Sequence, residues 1–130
     1  MATICKTIDT TATVEAAWDA VRDVGALHTR LVPGFVVDTK LEPGTRVVTF
    51  ANGMTTREPI VTLDDDARRL VWSSEGGRTT HYNASAQVLA REDGARVVWI
   101  ADFLPDDVAP AIDAAMSAGA EAMKKALDGV

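Results

Sequence analysis

The sequence predicts a single α+β domain over residues 1–130, with a curved antiparallel sheet of seven strands, a long C-terminal helix, and two short helices after the first strand. Three observations predict this fold class. An alternating strand pattern near the N-terminus leads directly into an amphipathic helix. Six short apolar stretches separated by turn residues then follow at hairpin spacing, and an alanine-rich helical pattern ends the chain.

The first two elements are a strand and a short helix. Residues 3–9 alternate in the manner of a half-buried strand. Thr13 is placed to cap a helix, and Val14, Trp18 and Val21 fall on one helical stripe. We therefore expect a helix that begins at residue 14 and packs through this stripe.

This helix cannot continue far. Gly25 is well placed to end it, and residues 26–31 have room for one further turn before Pro33 prevents continuation. The pattern predicts a second, short helical piece that closes one end of the sheet.

Six strands at hairpin spacing indicate an antiparallel meander. Asn52-Gly53 and Asp93-Gly94 are strong signals for two-residue hairpin turns. The predicted strands are FVVDTKL, TRVVTFA, MTTREPIVTL, RLVWSSE, TTHYNASAQVLA and ARVVWIADF.

The last element is a helix within residues 105–130. Asp106 or Asp107 is available as its N-cap, and Pro110 lies in the first turn, where a missing N–H costs little. Its apolar stripe consists of Val108, Ile112, Met116, Met123 and Leu127.

Composition excludes several classes of function. The net charge of −6 argues against a nucleic-acid or anionic membrane partner, since both need clustered Lys and Arg. Cys5 is the single cysteine, no secretory signal is visible, and no apolar run is long enough to span a membrane, so we expect a cytoplasmic protein. The two histidines and Cys5 lack metal-ligand spacing, so we expect no metal and no cofactor.

Strand alternation predicts which side chains face the interior. In the last hairpin, Tyr82 shares a face with Ala84, Ala86, Trp99 and Phe103, and we expect that face to be inward. His81 alternates with Tyr82 and should point outward, unless the preceding turn carries an odd residue.

The hairpin at Asn52-Gly53 is treated in the same way. A two-residue turn groups Phe50, Arg57, Val61 and Leu63 on the more apolar face, which we expect to be inward, with Glu58 outward. A one-residue bulge would exchange Arg57 and Glu58.

Three segments in order carry a resemblance over nearly the whole chain: WDAVRDVGALHTRLVPG, TREPIVTLDDDARRLVW and HYNASAQVLAREDGARVVWIADFLPDD. Their combination resembles the helix-grip superfamily (SRPBCC), which includes Bet v 1, START and polyketide cyclase/dehydrase-like proteins. The resemblance implies a hydrophobic cavity between the sheet and the long helix, and a small apolar or aromatic ligand, lipid-like or polyketide-like. It does not imply one activity, because this fold carries several.

Two hypotheses for function stay open at this point. The first is binding of a small hydrophobic molecule in the cavity. The second is a cofactor-independent cyclase, aromatase or dehydratase, in which Arg57 stabilises an enolate while Tyr82, His81 or Glu58 moves protons. Few ionisable residues fall on the predicted inner face, which favours binding. The expected ligand-binding residues are Trp18, Phe50, Trp72, Ala84, Ala86, Trp99, Phe103, Ile112, Met116 and Met123.

A third, minor alternative is a partner-binding domain. Val98 and Ile100 are apolar positions on the predicted outer face, and they could mark either a partner site or a homodimer contact.

Overall fold

The computed structural model describes all residues, 1–130, as one curved seven-stranded antiparallel sheet with a long helix across it. The sheet order is β1-β7-β6-β5-β4-β3-β2. Strands β2 to β7 therefore pair with their neighbours in sequence, and β7 also pairs with β1. The strands are β1 Ala2–Thr10, β2 Val36–Glu42, β3 Thr45–Phe50, β4 Thr55–Asp64, β5 Arg69–Ser73, β6 His81–Arg91 and β7 Gly94–Leu104. The predicted fold class is confirmed.

The helical segment between β1 and β2 is broken, as the sequence predicts. Helix α1 spans Val14–Arg22, and the Thr13 hydroxyl caps it by accepting a hydrogen bond from the Ala16 amide at 3.0 Å. A 3-10 turn over Val24–Ala26 and a π-helical turn over Leu27–Leu31 follow. The π-helical turn places Leu27 and Leu31 in the core beneath one end of the sheet.

Helix α2 spans Ala109–Asp128 and follows a 3-10 turn over Asp106–Val108. The expected cap at Asp106 or Asp107 is wrong: both lie in the 3-10 turn, and the position before α2 is Val108, which has no capping side chain. No helix in the structure is long and apolar enough to cross a membrane.

Every side-chain hydrogen bond between α2 and the rest of the protein goes to β1 or to the residue after it. Lys6 Nζ donates to Asp113 at 2.7 Å, the Thr10 hydroxyl donates to Asp128 at 2.7 Å, and Lys124 Nζ donates to the Asp9 carbonyl at 2.9 Å. The Thr11 amide donates to the same Asp128 carboxylate. No hydrogen bond or ion pair joins α2 to β2, β3, β4, β5 or β6, so the polar attachment of α2 is one-sided.

The last hairpin turns one step earlier than expected. Arg91 pairs with Gly94, so the turn is Glu92-Asp93 rather than Asp93-Gly94. The displacement moves each partner by two residues, for example Ala86 opposite Trp99, and therefore keeps every side chain on its predicted face.

Gly94 has a backbone requirement of its own. Its φ is +152°, and a Cβ at this position would lie 2.1 Å from the Thr10 carbonyl oxygen. The close approach of the β1 end to the hairpin therefore requires glycine.

The hairpin between β3 and β4 differs from the prediction by one residue. Phe50 N–H donates to the Met54 carbonyl at 2.8 Å, which leaves a three-residue loop, 51–53, instead of the two-residue turn. Gly53 has φ +89°, whereas Asn52 is not in the left-handed region that a two-residue type I′ turn would need. The extra loop residue exchanges the two faces in the first part of β4: Thr56 and Glu58 are buried, and Arg57 is exposed. Val61 and Leu63 are also exposed, but a register shift between Ile60 and Thr62 places Leu63 opposite the buried Leu70, on the inner side of the sheet.

Candidate functional site

A cavity of about 500 Å³ lies between the inner face of the sheet and α2. Most of its lining is apolar. The strands contribute Trp72, Ala86 and Trp99, and α2 contributes Ile112, Met116 and Met123. The helical segment between β1 and β2 closes one end of the cavity, where the lining residues are Val21, Leu27, Leu31 and Val32.

The cavity reaches the surface between two hairpin loops and the first half of α2. Asn52 in the β3–β4 loop and Arg78 in the β5–β6 loop are exposed and also line the cavity. Ala111 and Ala115 border the same opening from the helix and are exposed as well. Small side chains on this part of α2 leave the opening wide.

A buried ion pair stands on the sheet wall of this cavity. Arg46 Nε donates to Glu58 Oε1 at 2.9 Å, and the two side chains are 3% and 8% exposed. β3 and β4 place them directly opposite each other as a cross-strand pair. The Arg46 guanidinium also lies 5.2 Å from the centre of the Trp72 ring, which adds a cation–π contact to its support.

Two hydroxyl-bearing residues extend this polar wall. The Thr56 hydroxyl lies 3.4 Å from Glu58 Oε2, and Thr56 also lines the cavity. Tyr82 on β6 lines the cavity and stacks on Phe103 at a ring-centre distance of 6.3 Å. Its hydroxyl has no hydrogen-bond partner within the protein and is not among the fully covered polar atoms. It is therefore an unpaired hydrogen-bonding group at the cavity wall.

The surroundings of these groups change their acidity. Burial raises the pKa of Glu58 above its ordinary value, while the positive charge and hydrogen bond of Arg46 oppose that change. Burial, together with the negative charge of Glu58, raises the pKa of Tyr82, so its hydroxyl stays protonated at neutral pH. The wall thus offers a cation, an acid whose proton affinity is raised, and a neutral O–H donor. No group of three or more side chains suited to a metal ion occurs in the structure.

Comparison with known proteins agrees with this geometry. All residues, 1–130, match the sequence family described as polyketide cyclase/dehydrase and lipid transport. The chain belongs to this family. Its helix-grip superfamily, predicted from the three sequence segments, is thereby confirmed.

Solved structures show the same fold at low sequence identity. A protein from Thermobifida fusca is 27% identical, with a TM-score of 0.78 and coverage of 98% of this chain and 91% of that one. An uncharacterised protein from Bacillus thuringiensis is 20% identical, with a TM-score of 0.86 and coverage of 97% and 98%. BexL, a di-domain ARO/CYC from the BE-7585A biosynthetic pathway, is 18% identical, with a TM-score of 0.84 and coverage of 98% of this chain and 47% of BexL. A search of the curated proteins found no match.

In this member of the polyketide cyclase/dehydrase family, the inward placement predicted for Arg57 is wrong. Arg57 is on the outer face, where its Nη1 donates to Glu42 at 2.7 Å and its side chain is 50% exposed. Glu58 takes the inner position because of the three-residue loop at 51–53. His81 is exposed at the start of β6 and faces away from the cavity, whereas Tyr82 faces it, as alternation predicted.

Most of the apolar residues expected to bind a ligand line the cavity, and three do not. The lining set comprises Phe50, Trp72, Ala86, Trp99, Ile112, Met116 and Met123. Ala84 and Phe103 are buried in the core beside the cavity rather than in its wall. Trp18 lies in the core near the β4–β5 turn, where its Nε1–H donates to Asp65 at 2.8 Å, so its function is structural.

Arg46 is the residue that the sequence analysis missed. Its position at the start of a strand, next to a turn, is typical of a solvated charge. Alternation does contain the signal, because Arg46 shares a face with Phe50, which was already placed inward.

Proposed function

We propose that this protein binds a small, mainly apolar molecule that carries oxygen atoms along one edge, in the cavity between the sheet and α2. One observation carries this proposal. The polar cavity groups Arg46, Glu58, Thr56 and Tyr82 lie together on the sheet wall, while the α2 wall is apolar. Such a division favours a flat guest with one polar edge and one apolar edge.

The cavity volume is in the range of sites that hold drug-sized molecules. Burial of an aromatic or polyketide-like skeleton against Trp72, Trp99 and Met116 would supply most of the binding free energy. The polar wall would then orient the guest, since each hydrogen bond adds only about 0.5–1.5 kcal/mol. Membership of a family whose description includes lipid transport is consistent with this activity.

A second candidate function is cyclisation or dehydration of a poly-carbonyl substrate in the same cavity. The observation that favours it is the buried Glu58 carboxylate beside Arg46, with the free Tyr82 hydroxyl on the same wall. Glu58 would accept a proton from a carbon next to a carbonyl group, Arg46 would stabilise the negative charge on the enolate oxygen, and Tyr82 would donate a hydrogen bond. The family is described as polyketide cyclase/dehydrase and lipid transport, and the similar protein BexL is a di-domain ARO/CYC.

The first experiment is native mass spectrometry of freshly purified protein, followed by organic extraction and identification of any released compound. A defined mass excess that disappears on extraction supports binding and gives the ligand class. Protein that shows no mass excess is titrated with the uncharged fluorescent probe N-phenyl-1-naphthylamine, which tests directly whether the cavity binds an apolar molecule.

Two neighbouring alanines on α2 give a matched test of where the probe binds. Ala115 borders the cavity opening, whereas Ala114 is exposed and does not line the cavity. Ala115→Trp should weaken probe binding by about tenfold or more because the indole fills the opening, and Ala114→Trp should leave it unchanged. Equal effects of the two substitutions would mean that the probe binds elsewhere.

The two candidate functions separate at Glu58. If the protein is a carrier, Glu58→Gln changes the affinity for a poly-carbonyl compound, and no product forms with either protein. If it is an enzyme, wild type forms a cyclised or dehydrated product, and Glu58→Gln lowers kcat more than it changes KM.

A further inference from the structure

Arg46 keeps part of its hydrogen-bonding capacity free inside the cavity. Its Nε donates to Glu58, but Nη1 and Nη2 have no partner within the protein. Three buried polar side-chain atoms have neither solvent contact nor a hydrogen-bond partner: His28 Nδ1, Thr39 Oγ1 and Trp99 Nε1. Arg46 Nη1 and Nη2 are not among them, so each of these two unpartnered nitrogens has some accessible surface. Because the side chain is only 3% exposed and lines the cavity, both nitrogens reach space within it.

The charge of Arg46 is already balanced. Glu58 lies against its Nε at 2.9 Å, and the pair together carries no net charge. A guest with a neutral acceptor oxygen, such as a ketone or a phenol, can accept a hydrogen bond from Nη1 or Nη2 without changing that balance. An anionic guest would instead add an unmatched negative charge to a largely apolar cavity, which is strongly unfavourable.

We propose that Glu58 is a specificity-determining residue of this cavity: it makes Arg46 select guests with a neutral acceptor oxygen, and an anionic guest binds there only together with one proton, which Glu58 takes up. The proton comes from solvent and forms an O–H bond on the Glu58 carboxylate, and no bond of the guest changes. This inference rests on the proposed binding function.

The other charged and titratable groups around the pair do not supply such a proton site. Tyr82 on β6 is neutral at neutral pH and stays so when an anion enters. Arg78 at the opening is exposed, and its guanidinium has donors only and no acceptor for a further proton. The cavity residues of α1, the π-helical turn and α2 are all apolar, and His28 in the π-helical turn does not line the cavity.

Two fluorescent probes of nearly the same shape test this inference. N-phenyl-1-naphthylamine is neutral, and 1-anilinonaphthalene-8-sulfonate carries a fixed negative charge between pH 5.5 and 8.5. The Kd of the neutral probe should be independent of pH. The Kd of the sulfonate should rise with pH by up to about tenfold per pH unit, because its complex holds one more proton than the free protein.

Glu58→Gln should remove the pH dependence of sulfonate binding and should tighten that binding at pH 8, since Arg46 then has no competing carboxylate. Two controls should keep the wild-type slope. Glu42→Gln changes an exposed glutamate on the outer face, and His28→Gln removes the histidine that follows the cavity-lining Leu27 in the π-helical turn. Calorimetry of wild type in two buffers of different ionisation enthalpy counts the protons directly and does not require the Glu58 variant to fold.

The outcomes separate this inference from the proposed function. Uptake of close to one proton with the sulfonate, and none with the neutral probe, supports it. Three results overturn it and leave the proposed function standing, provided that the neutral probe binds. They are sulfonate binding that does not depend on pH, no sulfonate binding at any pH, and an unchanged slope in Glu58→Gln. Failure of both probes to bind overturns the two together.

Discussion

Removal of either member of the Arg46–Glu58 pair should destabilise the fold far more than removal of both. The side chains are 3% and 8% exposed, so solvent hardly screens them, and each is the other's only oppositely charged partner. Breaking a buried pair on one side typically costs about 3–5 kcal/mol, because the remaining charge is buried without compensation. A domain of this size has a free energy of unfolding of about 5–15 kcal/mol, so either single change removes a large fraction of it.

The variants are Arg46→Met, Glu58→Leu and the double variant, which replace each side chain by an apolar one of similar length. We expect the double variant to be close to wild type, because well-packed apolar replacements of buried ion pairs are often neutral or stabilising. Urea unfolding at pH 7, followed by circular dichroism, gives the free energies for a double-mutant cycle. Urea is preferred over guanidinium because it does not screen charge.

Acidity adds a second, directional test. In Arg46→Met the positive charge that opposes the effect of burial is gone, so the pKa of Glu58 in the folded state rises further above its unfolded value. A carboxyl group of this kind destabilises the folded state increasingly as pH rises between the two pKa values. Arg46→Met should therefore regain stability when the pH falls from 7 to 5, relative to wild type.

Arg57→Met is the matched control, because it removes the cation next to Glu58 in sequence, on the exposed face of β4. Its pair with Glu42 is about half exposed on both sides, and its loss should change stability little. Single-variant effects that add to the double-variant effect within about 0.5 kcal/mol would refute the assignment of a coupled, buried pair.

Three further outcomes follow from contacts described above. Gly94→Ala should lower the free energy of unfolding by roughly 3 kcal/mol or more, because its Cβ would lie 2.1 Å from the Thr10 carbonyl oxygen. Gly44→Ala, which has open space around the new Cβ, should lower it by only about 1 kcal/mol. Denaturant unfolding measures both. Asp128→Asn should make the stability less dependent on pH in the acid range. Hydrogen bonds from Thr10 and Lys124 lower the pKa of Asp128, so its stabilising contribution is present above the unfolded-state pKa and is lost as the pH falls through the folded-state pKa. Melting temperatures measured between pH 6 and pH 3 test this. Tyr82→Phe should leave the melting temperature unchanged and weaken binding of 2-naphthol by roughly threefold to tenfold; unchanged affinity would mean that the hydroxyl does not contact this probe.

Two hairpins show how much of the fold and site could be predicted from sequence. In each hairpin the turn was placed at the dipeptide most typical of a two-residue turn, and in each the observed turn differs from that placement. At β6–β7 each partner moved by two residues, so Tyr82 and Trp99 stayed on the inner face. At β3–β4 the displacement was one residue, so Arg57 and Glu58 exchanged faces.

The difference is physical rather than statistical. Strand side chains repeat every two residues, so only an odd displacement changes what the cavity contains. Loop length depends on backbone angles at single residues, here on Asn52 staying outside the left-handed region, and composition does not determine that choice. The inner face of the last hairpin and the antiparallel meander are set by many residues together, and these were predicted correctly.

The one-sided attachment of α2 has a mechanical consequence. Its hydrogen bonds to the sheet, through Asp113, Lys124 and Asp128, all go to β1. The opposite long side of the helix faces the cavity with methionine, isoleucine and alanine side chains, which have no preferred bond direction. No hydrogen bond ties that side to the strands that line the cavity, so a larger or smaller guest would have to rearrange only apolar contacts there.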